Sequence, residues 1–343
     1  MLKYSPSNWK AGEQYGVLMV ELLNGNEAAA YAAHYAGAKL VVGENEITAK
    51  ITSFADFNGK VDDSLDAAIA ATMDGKRVFV ARNADMKKAA LMRTPLVGMG
   101  DAFAARDSST IIFLPENSQE VFDNIIMAYR ACEDKKVLLP AVVGTDFLLT
   151  RTREPVYPQT QKIIENFLQS PQAEKPEKHI QTILPDTAEA HAVLQKSMDA
   201  AKKSLPDVFN DWKKKFHRIY GPVEKLMTDD ADLVIVTYGS ISGNAKLAVQ
   251  KMREMGEKVG LLRIRVLRPF PAASLDVLKN AKKVAVVEPT FAPGSGGILH
   301  GEIKDGLPYC SSFICGKSLS VEDFMNIFKR LQATEKPERI WMV

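Results

Sequence analysis

Short runs of Val, Ile and Leu alternate with helix-forming stretches, and this alternation, present in two blocks, limits the fold more than any other feature of the chain. From Gly25 the run GNEAAAYAAHYAG ends at Gly37 and feeds KLVVG, which reads as a helix followed by a buried strand. DDSLDAAIAATMDG leads into RVFVA, RTPLVGM is a further strand, and TIIFLP precedes the helical SQEVFDNIIMAYRACEDKK and the strand VLLPAVVG. The pattern resumes at Asp230: strands DLVIVTYGS, KVGLLRIRVL and KKVAVVEPT are separated by helices GNAKLAVQKMREMGE and ASLDVLKNA, and VEDFMNIFKRL closes the block. Apolar runs without polar alternation need cover on both faces. A parallel sheet between helices supplies it.

Between the blocks, from Arg151 to about Thr228, the sheet pattern disappears. Prolines at Pro155, Pro158, Pro171 and Pro176 predict an extended crossing segment. The stretch AEAHAVLQKSMDAAKKSLPDVFNDWKKKF predicts a helical connector with its lysines on a solvated face. The expected organisation is therefore α/β, with two parallel-sheet domains at residues 1–155 and 229–343 joined by an arm at 156–228. A chain of 343 residues can bury cores of that size.

Several function classes are disfavoured. The formal charge of +2 creates no field for nucleic acid or an anionic membrane. MLKYSPSNWK lacks the pattern of a signal peptide, and no run approaches the roughly 18 apolar residues of a membrane span, so a cytoplasmic protein is expected. Cys132, Cys310 and Cys315 are too few for a disulfide framework or a four-cysteine metal site. His34, His179, His191, His217 and His300 show no zinc-hydrolase spacing, and no metal site is predicted. Neither GxGxxG, GxxxxGK[ST] nor GxSxG occurs. TYGSISGNAK remains as a strand-turn-helix junction that could hold phosphate or simply start a helix.

Blocks in order along nearly the whole chain resemble the alpha subunit of pyruvate and other 2-oxoacid:ferredoxin oxidoreductases. GNEAAA at Gly25–Ala30 resembles the family's opening helix, and EIT at Glu46–Thr48 falls where the family carries a Tyr-Pro-Ile-Thr-Pro turn. ARDSS at Ala105–Ser109 is similar to its Gln-Arg-Asp-Thr-Gly segment, and PENSQEVFDNIIMAYRACEDKKVLLPAVVGTDFLLTRTREPV to its long helix, strand and exit into the arm. FHRIYGPVEKLMTDDADLVIVTYGSISGNAKLAVQKMREMGEKVGLLRIRVLRPFP resembles the arm end and the transketolase-C-terminal-like domain. The resemblance implies that the first domain is the pyrimidine half of a split thiamine diphosphate site. A beta subunit would hold the diphosphate and magnesium, consistent with the absence here of a Gly-Asp-Gly motif with its downstream Asn. Iron-sulfur clusters would reside on partner chains, in a hetero-oligomer with beta, gamma and delta-type subunits that passes electrons to ferredoxin and an acyl group to coenzyme A, as in the pyruvate synthases of anaerobic metabolism.

The match departs from the family where chemistry is expected. The family's glutamate at the pyrimidine ring, which lets the cofactor's amino group act as base, falls here on Val61 or Leu65, and no glutamate lies between Thr48 and Pro115. Asp62, Asp63 and Asp66 are the nearest carboxylates and the catalytic candidates, with Glu46, Asp62 and Asp63 as cofactor-binding candidates. A shorter aspartate would need the backbone to approach by roughly 1.5 Å to keep the bond. Asp62 and Asp63 equally suit a role capping the following helix. The Asn-Arg-Ala segment that supplies the substrate-carboxylate arginine is deleted, leaving Arg82 and Arg106, with the retained Thr48, as substrate-binding candidates. The family's Gly-Gly-Arg-Asp turn appears as CGKSLS, where Lys317 keeps the charge without the fork geometry. Two readings follow: a subunit of an enzyme decarboxylating a 2-oxoacid other than pyruvate or using a rearranged relay, and a degenerate scaffold or regulatory subunit of such a complex.

Overall fold

The structure, a computed structural model, describes residues 20–43, 45–81, 84–169, 185–316 and 318–342. The amino-terminal MLKYSPSNWK run, Arg82, Pro171, Pro176, His179 and Lys317 lie outside the described residues. The first block folds as a seven-stranded sheet in the order Lys60–Asp62, Leu40–Val42, Val78–Val80, Val97–Gly100, Ala141–Gly144, Ile111–Phe113, Val266–Arg268. All neighbours are parallel except the last pair. The second block forms six strands in the order Val223–Leu226, Val259–Ile264, Leu233–Thr237, Lys283–Glu288, Cys310–Cys315, Arg339–Met342, with only Val223–Leu226 antiparallel. The chain is α/β with two such domains.

Side-chain alternation along the strands builds three apolar layers. Val41, Phe79, Ile111 and Phe113 face the helices Gly25–Tyr35 and Ser118–Cys132. Val42, Val80, Ile112 and Val142 face the other way and form one continuous core with Val234, Val236, Leu262 and Val286 of the second sheet. Ile235, Leu261 and Val287 pack under the helices Ser242–Glu254 and Val321–Ala333. The domains thus share a core.

Three elements differ from the pattern expected of the sequence. KVGLLRIRVL is not one strand: Val259–Ile264 stays in the second sheet, while Val266–Arg268 crosses over to edge the first. The second sheet begins before Asp230, because Val223–Leu226, inside the segment read as arm, is its antiparallel edge. Residues Ala272–Asn280 form a 3-10 helix.

The arm runs through the strand Glu154–Val156, paired with Glu21–Leu23, and the helix Gln161–Leu168 to the 29-residue helix Ala188–Phe216. That helix buries Leu194, Ala201, Leu205, Val208, Trp212 and Phe216, a stripe at helical spacing, and leaves its lysines outward.

Every residue of the helix Ser118–Cys132 except Gln119 is buried, including three charged ones. Asp123 accepts from Arg218 and from the Tyr220 hydroxyl, Arg130 donates to Asp211 at 2.6 Å and to the Phe167 carbonyl, and Glu120 takes a two-pronged bond from Arg263 at 2.6 and 2.8 Å. Arg263 is fully buried and also donates to Glu224 at 2.7 Å. Burial alone would raise the Glu120 carboxyl, but Arg263 and Arg265 outweigh it and hold the group below its ordinary 4.5. The stability that the pair contributes is therefore fully present above that value and is lost as pH falls through the lower folded value. We expect Glu120→Gln, which removes the two-pronged carboxylate partner of a buried guanidinium and leaves it Glu224, to cost up to about 3–5 kcal/mol at neutral pH in denaturant unfolding. The gap from the wild type should narrow below 4.5; a gap constant down to acid denaturation contradicts this assignment.

Candidate functional site

In open α/β sheets ligands settle beyond the carboxyl ends of the parallel strands. Here both sheets turn those ends toward one cleft of about 800 Å3 between the domains. The first domain contributes Gly100–Phe103, Leu114 and Gly144–Leu149, and the second Tyr238–Ile241, Thr290 and Cys315. Phe103 and Tyr238 meet across it with ring centres 4.9 Å apart.

Asp146 sets the cleft's geometry. It caps the short helix Phe147–Arg151, with Oδ1 accepting from the Leu148 and Leu149 amides at 3.0 Å each, and its Oδ2 accepts the Ser240 amide of the other domain at 3.0 Å. Gly239 has φ +69°, and a Cβ there would stand 3.1 Å from Asp146 Oδ2, so glycine permits both the turn and the approach. TYGSISGNAK leads into the helix Ser242–Glu254, and the Ser240 amide in its turn is taken by a carboxylate.

Behind the cleft wall the Tyr238 hydroxyl bonds Thr290 Oγ1, which donates to Glu288 Oε2 at 3.2 Å. Glu288, fully buried, also accepts from the Leu299 amide at 2.8 Å and the His300 amide at 2.9 Å. Burial raises its carboxyl above the ordinary value against those amides, and burial likewise pushes the Tyr238 phenol well up. Gly297 has no room for a side chain, since a Cβ would meet Glu288 Oε1.

The residues singled out in the sequence are distributed differently. Asn45 caps the helix Glu46–Thr52, which stands where the resemblance led us to expect a turn, and Asn45 Oδ1 accepts the Ile47 and Thr48 amides. Thr48 is buried and its hydroxyl donates to the Gly43 carbonyl at 2.6 Å. Glu46, on the exposed side, accepts from Asn26 at 2.9 Å. The cap of the helix Leu65–Met73 is Ser64 rather than Asp62 or Asp63, because the Ser64 hydroxyl accepts the Ala67 amide while Asp62 Oδ1 accepts the Ser64 amide at 2.8 Å. Asp63 is exposed, and Asp66 pairs with Lys88 at 2.5 Å. The Arg106 guanidinium pairs with neighbouring Asp107 at 3.0 Å. None of these side chains lines the cleft between the domains.

Residues 88–216 match the family model "Pyruvate flavodoxin/ferredoxin oxidoreductase, thiamine diP-bdg", and residues 231–317 match "Pyruvate:ferredoxin oxidoreductase core domain II". The pyruvate synthase subunit PorA of Pyrococcus furiosus is 31% identical, over 92% of this chain and 93% of its own length. The chain belongs to the 2-oxoacid:ferredoxin oxidoreductase alpha-subunit family. Its members are subunits of thiamine-diphosphate-dependent enzyme complexes, and the ketoisovalerate oxidoreductase subunit VorA of Pyrococcus abyssi is another relative, 31% identical over 86% of this chain and 88% of its own.

Among solved structures, 2-oxoglutarate:ferredoxin oxidoreductase from Magnetococcus marinus superposes with a TM-score of 0.70 at 18% identity, over 91% of this chain and 65% of that one. A split-gene transketolase matches at a TM-score of 0.55 and 10% identity, over 91% of this chain and 98% of its own. At such identities the likeness establishes the fold.

Several acids of the first domain are bonded within the chain. The carboxylates beside the first-sheet strand ends are engaged within the chain, Asp62 by the Ser64 amide, Asp85 by the Lys88 amide and Asp101 by the Phe103 and Ala104 amides. Among the described residues no cluster of three metal-ligating side chains occurs, and no helix is long and apolar enough to cross a membrane.

Asp146, Tyr238, Thr290 and Glu288 were not singled out in the sequence. A polar residue two positions after a strand and before FLL marks Asp146 as a cap, and an acid closing the apolar run KVAVVE marks Glu288. We expect Asp146→Asn, which can keep the helix cap through its carbonyl oxygen but turns an amide toward Ser240, to destabilise by about 1–3 kcal/mol. Amide exchange at residues 239–241 should accelerate, and unchanged protection there would show that the interdomain bond contributes nothing.

Proposed function

We propose that the chain is the alpha subunit of a 2-oxoacid:ferredoxin oxidoreductase complex, in which it frames the assembly and walls one side of the active site without supplying a carboxylate to thiamine diphosphate. The reaction of the complex is oxidative decarboxylation of a 2-oxoacid, with electrons passed to ferredoxin and the acyl group to coenzyme A. A beta subunit would carry the cofactor's diphosphate and magnesium, and gamma and delta-type subunits the iron-sulfur clusters. What carries this reading is the coincidence of the two-domain architecture with relatives matched over most of their length, whose names span pyruvate and ketoisovalerate. Those names share a 2-oxoacid group and differ in the carbon chain, so the substrate class is the 2-oxoacid and the acid itself follows from the pocket's side chains.

A second reading, a scaffold or regulatory subunit of a complex that has lost the reaction, is favoured by one observation. Thr48, Asp62, Asp66 and Arg106 each bond within this chain. The purified complex separates the readings: stoichiometric thiamine diphosphate with 2-oxoacid-dependent reduction of ferredoxin supports an active assembly, and neither appearing supports the scaffold.

In an active complex, Asp62→Asn and Asp63→Asn should change kcat less than about threefold, because Asn at 62 keeps the carbonyl that accepts the Ser64 amide and the Asp63 side chain is exposed. A loss of about a hundredfold, the lower range for removal of a general acid or base, would restore Asp62 or Asp63 to the chemistry.

A further inference from the structure

Far from the strand ends, a groove of about 830 Å3 runs between the helix Ala188–Phe216 and the first domain. Its inner end is Arg93, which follows the helix Met86–Leu91 and takes φ +52°, a left-handed backbone that side-chain-bearing residues rarely adopt. The guanidinium is half-buried and donates to the hydroxyl of Ser197, itself 3% exposed. Among the described residues no carboxylate pairs with Arg93, in contrast to Arg77, Arg218, Arg263 and Arg268, each of which meets an acid with two bonds. A guanidinium has five donors, and a half-buried one with a single neutral partner is under-satisfied. Burial lowers its proton affinity, the direction expected of a cation lacking a counter-charge.

Cations outnumber acids in the groove's lining, with Arg93, Arg130, Lys136, Lys196 and Lys203 against Asp134, Asp199 and Asp207. Lys196 and Lys203 stand seven residues apart, two turns along one helix face, with Lys136 on the opposite bank, and none makes an ion pair among the described residues. Of the wall's acids, Asp134 accepts the Lys136 amide at 2.8 Å, Asp199 accepts the Gln195 amide group at 3.0 Å, and Asp207 stands one turn from Lys203 on the same helix.

We infer that this groove is a binding site for a small organic oxyanion, a phosphate or carboxylate group gripped by Arg93 and Ser197 within and by Lys136, Lys196 and Lys203 at the rim. The planar fork of Arg93 matches either oxyanion with two parallel bonds. The site is separate from the cleft at the strand ends and needs no thiamine chemistry, so its test is independent of the proposed reaction.

The test is calorimetric titration and thermal melting of the full chain with its companions, using inorganic phosphate and acetate at constant ionic strength against chloride. Saturable binding of one or both, with a rise in melting temperature, is the expected result, and the responding anion names the ligand class. Arg93→Gln should weaken that binding by about tenfold or more, the loss of a charge-assisted bidentate contact. Lys136→Gln and Lys203→Gln, both exposed, should weaken it a fewfold and keep the reading available if the Arg93 variant does not fold. Equal anion binding by the wild type and these variants, or no response beyond that to chloride, overturns the site.

Discussion

The two-pronged bond between Arg263 and Glu120 is the constraint from which the arrangement of the domains follows. A fully buried guanidinium cannot be rehydrated without opening the interface, and its three donating nitrogens are matched by carboxylate oxygens of Glu120 and Glu224. Attraction between such charges depends steeply on geometry, so a small rotation of one sheet against the other would leave desolvation uncompensated. Apolar packing in the shared core would tolerate that slide better, because dispersion is spread over many weak contacts. Exposed pairs such as Lys279 with Asp276 lack this leverage, since water screens both members.

The same helix extends the constraint to the arm. Asp123 and Arg130 lie three and ten residues beyond Glu120, close to one helical face, and engage Arg218 and Asp211. One buried helix therefore registers the second domain, the end of the connector and, through the bond from Arg130 to the Phe167 carbonyl, its earlier part. The crossover of Val266–Arg268 into the first sheet adds a backbone tie beside the Arg263 pair. With the domains held this way, the carboxyl ends of both sheets face each other and the cleft is a consequence of register.

The sequence disclosed what local periodicity can carry. Alternating apolar runs located the two sheets, and the caps Asn117 and Ser320 mark helix starts as their residue types suggest. It did not disclose where KVGLLRIRVL changes sheets, because Val266 and Leu267 are as apolar as the residues before them and only the partner strand differs. Nor could spacing reveal that Glu120 meets a residue 143 positions away. The resemblance pointed to Thr48 and the aspartates, which stand apart from the cleft, and said nothing of the bonds they make. The Thr48 and Asp62 bonds are local and depend on backbone turns that composition does not fix, whereas Asp66 meets Lys88 of another helix.

The aspartates at the first-sheet strand ends each serve a turn of the chain itself. An aspartate carboxyl reaches the amide two or three residues ahead of it, and Asp62, Asp85, Asp101 and Asp146 each do so. A longer glutamate at such positions could project past its own turn, whereas aspartate serves the turn itself. Of these four, Asp146 is seen to extend its second oxygen to the other domain, and it lines the cleft beside Tyr238. Once those oxygens are committed to backbone amides, freeing one for chemistry would cost the turn that positions it.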